Sequence, residues 1–420
     1  MMSGQPVALT LLGSSGGLAK AVLAILNRSV QDAADPIHSI IQHSTLHLID
    51  IKQKDPAYYA DLYPHLFSRL SLHQLDLMDV EAFREHLINS GTKAVIDVSW
   101  ADTLHMLGCC NEMGIAYVNT ALENSEVDDD ASLYGFPLAE RYERFERQKD
   151  TFNNSTSVIC SGMNPGIVQW MAMKLRQENP QVNPLACYII EHDNSFYSDQ
   201  SVVQPETVYT SWSVECFLDE AIHSYPMFVR HRIPLYLYED VYSAEYRVSL
   251  GDKTFYGCLM PHEEVMTMGK MWDCEIGFIY RVSEATTEVI RAHLDDTDVL
   301  WDWKQQIIEP SVSDVEGQDL VGVLMVYENE EKYMYNTLSS RDIFPKYRTN
   351  ATYFQVACGV YAALSSILLD PLPKGAHYVE ELLQTGKSKY ENYLTYYMKD
   401  FVRGTNPRSD GLLHQRRREA

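Results

Sequence analysis

The feature that most constrains the fold is a glycine-rich turn close to the amino terminus. An apolar run, the turn LLGSSGGLA at 11–19 and an amphipathic segment follow one another along the chain. Such a turn between a first strand and a first helix lets the backbone approach a pyrophosphate, which then faces the helix N-terminus. The strict G-x-G-x-x-G pattern is absent. The sequence nevertheless predicts a nucleotide turn built from Gly13, Ser15, Gly16 and Gly17.

Strand-like and helix-like segments alternate over the first 160 residues. After about residue 180, Tyr and Trp become frequent and short strand-like pieces appear, and a helical pattern returns near Asn350. Alternation of this kind is typical of an α/β protein with a Rossmann-type, doubly wound parallel sheet. We therefore expect such a sheet, a second mixed α+β domain, and C-terminal helices that return to the first domain.

Composition limits the partners that this chain can bind. Asp and Glu number 58 against 34 Lys and Arg, a formal net charge of −24. Phosphate backbones and anionic membranes require basic residues, so we expect neither nucleic acid nor a membrane as partner. An acidic protein attracts cations, small organic cations among them, although most of this charge serves solubility.

Apolar runs and cysteines indicate a cytoplasmic protein. No apolar run reaches the length of a membrane helix, and 356–369 is predicted to be a buried helix. Residues 1–6 have no basic region, so no signal peptide is expected. The eight cysteines show no C-x-x-C pair, which favours buried thiols in a reducing compartment. The basic tail at 415–418 is expected to be frayed.

Two acidic residues follow strand candidates where a nucleotide would bind. Asp50 ends the predicted second strand, where a carboxylate bonds a ribose 2′-hydroxyl and repels a 2′-phosphate, which favours NAD over NADP. The alternative is a surface Asp that caps a turn. Asp76, in LDLMD at 75–79, is predicted to lie at the third strand's end, near the adenine.

Five separated regions of the chain match one known pattern in the same order. They are GIAYVNTALE at 114–123, SGMNPGIV at 161–168, IIEHD at 189–193 with TSWSVECFLDE at 210–220, PHEE at 261–264, and GQDLVGVL at 317–324 with NAT at 350–352. Together they resemble bacterial homospermidine synthase, a member of the saccharopine dehydrogenase-like group, over nearly the whole chain. The resemblance implies an NAD domain at 1–165 completed by 350–420, a substrate-binding and dimerisation domain at 166–349, and a homodimer.

The resemblance also implies a reaction. NAD takes a hydride from an amine carbon of putrescine, a second amine such as putrescine or spermidine attacks the imine, and the new imine is reduced with the recycled hydride. Carboxylates would hold the cationic amines, a base would take the amine proton, and an aromatic face would stabilise the cationic imine.

The resemblance gives catalytic roles to four residues. Glu191 is expected to bind an ammonium end, and Trp212 to stack on the cationic intermediate. His262 is expected to accept or relay the amine proton, since its pKa is ordinarily near neutrality. Asn164 is expected to face the nicotinamide and substrate, and also to cap a helix whose first residue is Pro165.

Four further acids are expected to bind substrate: Glu123, Glu220, Glu264 and Asp319. Glu264 lies two residues after His262, so a strand here would place both on one face. A position at a strand end, on a helix face or in a turn is the structural alternative for these acids. No third ligand accompanies His262 and Glu264 at a metal-binding spacing, so no metal is expected.

Some positions depart from the family pattern and leave other functions open. Trp100 stands where the family has an acid, and Asp97 and Asp102 flank it. A saccharopine or carboxynorspermidine-type NAD(P)-dependent reductase is the second hypothesis, with Arg230 and Arg232 available for α-carboxylates. A non-enzymatic NAD-binding relative is the third.

Overall fold

A computed structural model describes residues 7–420, and residues 1–6, which the signal-peptide prediction concerned, lie outside the described part. The chain divides into two compact units. The first comprises the chain up to Asp129, Arg141–Ile167 and Tyr353–Lys399; the second comprises Asp130–Glu140, Val168–Thr352 and Asp400–Ala420.

The strands of the described chain are β1 (Ala8–Leu12), β2 (Thr45–Asp50), β3 (Leu70–Gln74), β4 (Thr92–Asp97), β5 (Ala116–Asn119), β6 (Thr156–Ile159), β7 (Ala186–Asp193), β8 (Phe196–Tyr197), β9 (Thr207–Thr210), β10 (Met227–Arg230), β11 (Ile233–Tyr236), β12 (Ala244–Leu250), β13 (Lys253–Met260), β14 (Glu275–Arg281), β15 (Lys304–Ile307), β16 (Val315–Glu316), β17 (Asp319–Val326), β18 (Glu331–Leu338), β19 (Gly375–Tyr378), β20 (Val402–Asn406) and β21 (Arg417–Glu419).

The α-helices are α1 (Gly17–Ser29), α2 (His38–Ile41), α3 (Pro56–Leu62), α4 (Val80–Ser90), α5 (Thr103–Glu112), α6 (Ser125–Asp128), α7 (Pro137–Gln148), α8 (Ile167–Glu178), α9 (Val214–Ile222), α10 (Glu263–Met271), α11 (Glu284–Arg291), α12 (Val299–Asp302), α13 (Ser340–Tyr347), α14 (Ala351–Leu369), α15 (Val379–Gln384), α16 (Tyr390–Tyr397) and α17 (Leu413–Arg416).

The first unit holds a seven-stranded parallel sheet in the order β19-β6-β5-β4-β1-β2-β3. The Rossmann-type sheet predicted from the sequence is confirmed. Its strand order reverses between β1 and β4, and ligands of open α/β sheets bind beside the carboxyl ends of strands at such a point. Helices α15 and α16 belong to this unit, as expected of the returning C-terminal segment.

The second unit is built on a ten-stranded mixed sheet whose main path is β20-β18-β17-β7-β14-β13-β12-β21. Strands β7 and β14 are parallel, and β17 is antiparallel to β7. Tyr188 and Ile190 of β7 belong to a buried apolar cluster. Because successive side chains of a strand alternate between faces, Glu191 and Asp193 point to the opposite face.

The C-terminal segment corrects two expectations. Residues 400–420 belong to the second unit and not to the first, because β20 pairs with β18 and β21 pairs with β12. The basic tail at 415–418 is not frayed, since the side chain of Arg416 is fully buried in an ion pair with Glu331. An arginine removed from water is retained only where a carboxylate compensates its charge.

Helix α14 contains the apolar run at 356–369 and is longer than that run. Over its 19 residues it is long and apolar enough to cross a membrane by length and composition, but 83% of it is buried inside the protein. Core helices pass the same test, and this burial agrees with the predicted buried helix.

Candidate active site

The glycine turn of the first unit leaves no room for side chains at two positions. Gly13 has φ +71°, and a Cβ atom there would lie 2.7 Å from the Val98 carbonyl oxygen of the neighbouring strand end. A Cβ on Gly17 would lie 2.4 Å from the ring of Tyr353. Helix α1 begins at Gly17, and its N-cap Gly16 provides no side-chain cap. The turn therefore presents an uncapped helix N-terminus, which is the arrangement that binds phosphate groups.

Asp50 ties this turn to the end of β2. Its Oδ2 accepts the Ser15 N–H at 2.9 Å, and its Oδ1 accepts the Lys52 N–H at 3.0 Å. The Ser15 hydroxyl donates to the Lys52 carbonyl at 2.9 Å. The structural alternative considered for Asp50, capping of a turn, is thus present, and each carboxylate oxygen keeps a lone pair for a further donor.

Asp76 lies in the turn after β3 and is exposed. The segment 75–79 was predicted to form the end of the third strand, but β3 already ends at Gln74. Asp76 accepts the Met78 N–H at 2.9 Å. It therefore shapes this turn at the carboxyl edge of the sheet.

Glu123 lies in a small pocket at the carboxyl ends of β4 and β5. The pocket is lined by Asp97, Ser99, Ala101, Thr103, Asn119, Thr120, Ala121 and Glu123. Burial raises the pKa of Asp97, against the hydrogen bonds from Ser99 and Tyr117 that favour its charged form. Asp97 accepts hydrogen bonds from the hydroxyls of Ser99 and Tyr117, at 2.6 and 2.8 Å.

Trp100 occupies the position at which the homospermidine synthase pattern has an acid, and the residues near it stabilise the local structure. Trp100 is 57% exposed. Asp102 is the N-cap of α5, where it accepts the His105 N–H at 3.0 Å and the Asn124 side-chain amide at 2.6 Å. Both oxygens of Asp102 are engaged in these bonds, and each keeps a lone pair for a further donor.

The N-P-G segment forms a turn and not a helix start, which corrects the predicted N-cap at Asn164. Helix α8 begins only at Ile167. Gly162 N–H donates to the Pro165 carbonyl at 2.7 Å, and Ile167 N–H donates to the Gly162 carbonyl at 3.1 Å. Gly166 has φ +128°, outside the helical region, so the helix can begin only after it. Asn164 is half-buried in this turn.

One face of the second unit's sheet carries a group of buried acids. Glu191 and Asp193 alternate along β7, and Asp319 of β17 lies directly opposite Asp193. Tyr280 of β14 is the cross-strand neighbour of Glu191. All four side chains are buried. Burial, followed by the charges of Glu191, Asp193 and Asp319, raises the pKa of Tyr280 well above its usual range, so its hydroxyl stays protonated.

Aromatic side chains extend from this acid face. The indole N–H of half-buried Trp212 donates to the Tyr280 hydroxyl at 3.2 Å. Phe278 lies two residues from Tyr280 on the same face, with ring centroids 5.7 Å apart, and Phe217 packs edge-on against Tyr280. The rings of Phe278 and His262 lie 4.7 Å apart. A wall of aromatic rings therefore joins the acids of β7 and β17 to the surroundings of His262.

His262 and Glu264 lie at a helix start, which corrects the expectation of a shared strand face. His262 is the N-cap of α10, and Glu263 and Glu264 occupy its first turn. Acids in the first turn are stabilised by the positive end of a helix, which explains why PHEE begins a helix here. The His262 ring is still hydrogen-bonded through Nδ1 to Glu264 Oε2, and its Nε2 lies 3.8 Å from Glu220 Oε1.

The charges around His262 change its expected role. Burial disfavours the imidazolium, but Glu264, Glu220 and Glu263 outweigh it and raise the pKa of His262 to about 10. At neutral pH this raised pKa favours the imidazolium form of His262, which donates a proton more readily than it accepts one. Burial raises the pKa of Glu220 to about 8, with His262 opposing it. Of the pair, Glu220 is the group that changes protonation near neutrality.

Three carboxylate oxygens of this region are buried without a hydrogen-bond partner: Glu220 Oε2, Glu264 Oε1 and Asp319 Oδ1. An unpaired buried acceptor costs free energy, about 1–3 kcal/mol. Such atoms are explained when a donor-bearing ligand fills the site. All three residues were predicted to bind substrate.

No metal was expected at His262 and Glu264 because no third ligand was recognised in the sequence. In the structure, Glu263 is a possible third ligand. Ligand atoms of His262, Glu263 and Glu264 lie within 4.8 Å of one another. Nδ1 of His262 is hydrogen-bonded to Glu264, so a metal ion at this cluster would have to displace the proton shared by the two groups. The carboxylates of the cluster are also suited to hydrogen-bond donors such as ammonium groups.

Sequence reasoning missed four residues of this face: Asp193, Ser211, Tyr280 and Thr352. Asp193 follows Glu191 by two residues on a strand, so period-two alternation could have identified it. Ser211 and Thr352 stand inside the quoted SWS and NAT segments. The two segments meet in the structure, where Asn350 donates to the Ser211 carbonyl at 2.6 Å. No signal in the sequence paired Tyr280 with Trp212.

Comparison with known proteins identifies the fold. Saccharopine dehydrogenase (L-Glu forming) from Saccharomyces cerevisiae superimposes with a TM-score of 0.58 at 12% identity, over 95% of this chain and 100% of that chain. The chain thus has the fold of that dehydrogenase. No family model and no curated protein sequence matches.

Other solved structures are more distant. Apo scyllo-inositol dehydrogenase from Lactobacillus casei has a TM-score of 0.41 at 11% identity, covering 96% of this chain and 99% of that chain. The WlbA dehydrogenase from Chromobacterium violaceum, in complex with NADH and UDP-GlcNAcA, has a TM-score of 0.36 at 9% identity, with coverages of 86% and 87%.

Proposed function

We propose that this protein is an NAD-dependent enzyme of polyamine synthesis, similar to homospermidine synthase. The observation that carries the proposal is the set of buried, unpartnered carboxylate oxygens on Glu220, Glu264 and Asp319, in a region lined by aromatic rings. Diamines bring several N–H donors and positive charge on an apolar chain. Carboxylates and aromatic faces together are the groups that recognise such a ligand.

The first unit has the features that an NAD site requires. Glycine is forced at positions 13 and 17, and the N-terminus of α1 is uncapped. We assign the pyrophosphate to Gly13, Ser15, Gly16 and Gly17, the ribose and adenine to Asp50 and Asp76, and the nicotinamide side to Asn164. NAD, when bound there, supplies the hydride acceptor and donor. A carboxylate at the end of β2 favours NAD over NADP.

Each residue of the acid face has a defined task in this proposal. Glu191 and Glu264 hold ammonium groups of the amines, and Asp319 accepts an amine N–H through its unpartnered Oδ1. Glu123, which belongs to the first unit and not to the acid face, is also assigned to an ammonium group. Glu220 takes up the amine proton, because its pKa of about 8 is matched to work near neutral pH. His262 remains protonated and orients Glu264. Trp212, fixed by its bond to Tyr280, offers its ring to the cationic imine.

The proposed reaction proceeds from a primary amine through two imines. Putrescine is oxidised at the carbon bearing its nitrogen, a second amine adds to the resulting imine, and ammonia leaves. The new imine is then reduced to a secondary amine, with no net change in the oxidation state of the cofactor. Putrescine as both donor and acceptor gives homospermidine, and spermidine is a further candidate acceptor.

The test is incubation of the purified protein with NAD and putrescine, followed by mass spectrometry. Release of ammonia and homospermidine supports the proposal. Glu191→Gln should abolish turnover while leaving NAD binding intact. Glu239→Gln is the matched control, because Glu239 is a partly exposed carboxylate that pairs with Arg417 and has no role in the proposed site. Bound NAD without any product would refute the proposal for putrescine.

An amino-acid reductase is less well supported. That chemistry requires an arginine for an α-carboxylate, and Arg230 is engaged with the buried carboxylate of Glu275 through Nε at 2.9 Å. Arg232 is exposed on the β10–β11 turn with φ +63°. A non-enzymatic NAD-binding protein is a third candidate, and it would tolerate Trp212→Ala and Glu191→Gln with effects on stability alone.

A further inference from the structure

A continuous chain of hydrogen bonds joins the two opposed aspartates of the acid face. Ser211 Oγ is bonded to Asp193 Oδ2. Thr352 Oγ1 lies 2.8 Å from Ser211 Oγ and 2.6 Å from Asp319 Oδ2. All four residues are at most 3% exposed, so the chain of hydrogen bonds is shielded from bulk water.

A separate hydrogen in each of these contacts requires one more proton than two ionised aspartates provide. The three contacts need three hydrogens, one in each bond. Ser211 and Thr352 have one hydroxyl hydrogen each, and an ionised carboxylate has none. The third hydrogen must therefore belong to a carboxylic acid at one end.

We infer that Asp193, Ser211, Thr352 and Asp319 form a proton relay that carries a single shared proton between its two carboxyl groups. In one arrangement Asp319 donates to Thr352, Thr352 to Ser211 and Ser211 to the Asp193 carboxylate. Reversal of all three bonds moves the acid proton to Asp193. Each hydroxyl releases one hydrogen and receives one, so atoms and charge balance.

The surroundings place the resting proton on Asp319. Burial, followed by the charge of Asp193, raises the pKa of Asp319 well above its usual range. Asp193 is also buried, which raises its pKa, but Ser211 and the Ser195 N–H, at 2.9 Å from Oδ1, stabilise its charged form. Glu191 and Tyr280 are the other titratable groups that face this pair. Glu191 adds negative charge, and the Tyr280 hydroxyl stays protonated.

The relay also has an open end. Asp319 Oδ1 is buried and has no hydrogen-bond partner, so it is the atom at which a ligand would meet the chain. A substrate amine at Oδ1 could exchange a proton with Asp319 while Asp193 stores or returns it. This delivery to an amine rests on the proposed function, whereas the shared proton itself does not.

Infrared difference spectroscopy of the protein without substrate tests the relay. At neutral pH the wild type should show a protonated-carboxyl C=O band that is missing from Asp319→Asn. Thr352→Val should shift that band to higher frequency, because the acid loses its acceptor, and Thr352→Ser should restore it. Circular dichroism confirms that each variant is folded. Identical carboxyl bands in wild type, Asp319→Asn and Thr352→Val would overturn the inference.

The kinetic consequence is tested separately. If the enzyme acts on amines, Thr352→Val should lower kcat and change its pH profile while the affinity for NAD stays unchanged, and Thr352→Ser should recover most of kcat. A folded Thr352→Val with the wild-type pH profile would overturn the role in turnover. An inactive wild type with the expected infrared band would instead refute only the proposed function.

Discussion

The indole N–H of Trp212 and the hydroxyl of Tyr280 are joined by a 3.2 Å hydrogen bond. Trp212 belongs to the loop before α9, whereas Tyr280 lies on β14 beside Glu191. Their bond fixes the orientation of the tryptophan ring relative to the buried acids. The proposed cation–π role of Trp212 thus depends on a residue 68 positions away in the sequence.

Removing this bond should affect turnover more than folding. Trp212→Phe keeps an aromatic ring but loses the indole and its N–H donor. We expect kcat to fall about tenfold, equivalent to the ~1–2 kcal/mol of a partly desolvated cation–π contact. Steady-state kinetics with thermal unfolding measures both effects. Trp301→Phe is the control, since it loses an indole bond to His223 instead; equal losses in both variants would contradict the account.

Glu220 should determine an ionisation near pH 8. With its pKa raised to about 8, Glu220 is a proton acceptor only above that pH, so kcat/KM should rise as pH increases through it. Glu220→Gln should lower activity and remove this limb of the pH profile. A variant profile with the same limb would show that another group is responsible.

The raised pKa of Glu220 should also make the free energy of unfolding depend on pH. An unfolded Glu loses its proton near its ordinary pKa of about 4.3, whereas folded Glu220 keeps it to about pH 8. The folded state therefore binds more protons between these values, and the free energy of unfolding contributed by Glu220 falls as pH rises through this window. Denaturant titrations should show a smaller decline for Glu220→Gln; an unchanged slope would be inconsistent with the buried acid.

Three neighbouring histidines of the first unit should make the folded protein less stable in acid. His47, His73 and His86 lie with ring centroids 4.7–5.3 Å apart. Burial, followed by His73 and His47, lowers the pKa of His86 to about 4. The unfolded chain then binds more protons between about pH 6.5 and 4, so stability is lost as pH falls through that window.

The corresponding variant is His86→Gln, which should reduce the acid-induced loss of stability. Because the ring is only partly buried, we expect an effect of about 1 kcal/mol after allowance for solvent screening. Chemical unfolding at pH 7 and pH 5 measures it, with exposed His65→Gln as the control. An equal acid sensitivity in wild type and His86→Gln would exclude this cluster as its cause.

The nucleotide turn should not tolerate alanine at position 13. The left-handed backbone and the 2.7 Å approach to Val98 predict a loss of about 1–3 kcal/mol for Gly13→Ala, together with weaker NADH binding. Gly108→Ala is the opposite control, because its Cβ would meet nothing within 4 Å inside α5. That change should stabilise the protein by about 1 kcal/mol. Thermal unfolding and NADH fluorescence distinguish the two.

Local patterns in the sequence predict the parallel sheet well, because buried strands and amphipathic helices each leave a short-range signature. The same short-range pattern also predicts the positions of the glycine turn after β1 and of Asp50 at the end of β2. The helix start at His262 was missed because HEE after Pro261 reads equally as an extended segment. The Asn164 turn was missed because Asn-Pro commonly begins a helix, and only the positive φ of Gly166 shows otherwise.

The candidate site could not be predicted from local sequence patterns, because its residues are distant in the sequence and meet only in the folded chain. Asp193 and Asp319, like Ser211 and Thr352, are separated by more than 120 residues, and their protonation depends on burial that no local window contains. The pKa of His262 is raised first by its neighbour Glu264 and then by Glu220, which lies on another helix and is invisible to a local pattern. The resemblance singled out segments that the fold brings together, such as SWS and NAT, but the roles of their side chains depend on the contacts between them.

Deuterium tracing tests the central claim most directly. Putrescine carrying deuterium on both carbons bonded to nitrogen is incubated with the protein, catalytic NAD and an excess of unlabelled NADH. Homospermidine should retain the full deuterium content of its two precursors, since the hydride removed is the one returned. Absence of homospermidine, or a product that has exchanged one deuterium for hydrogen from the added NADH, would contradict it.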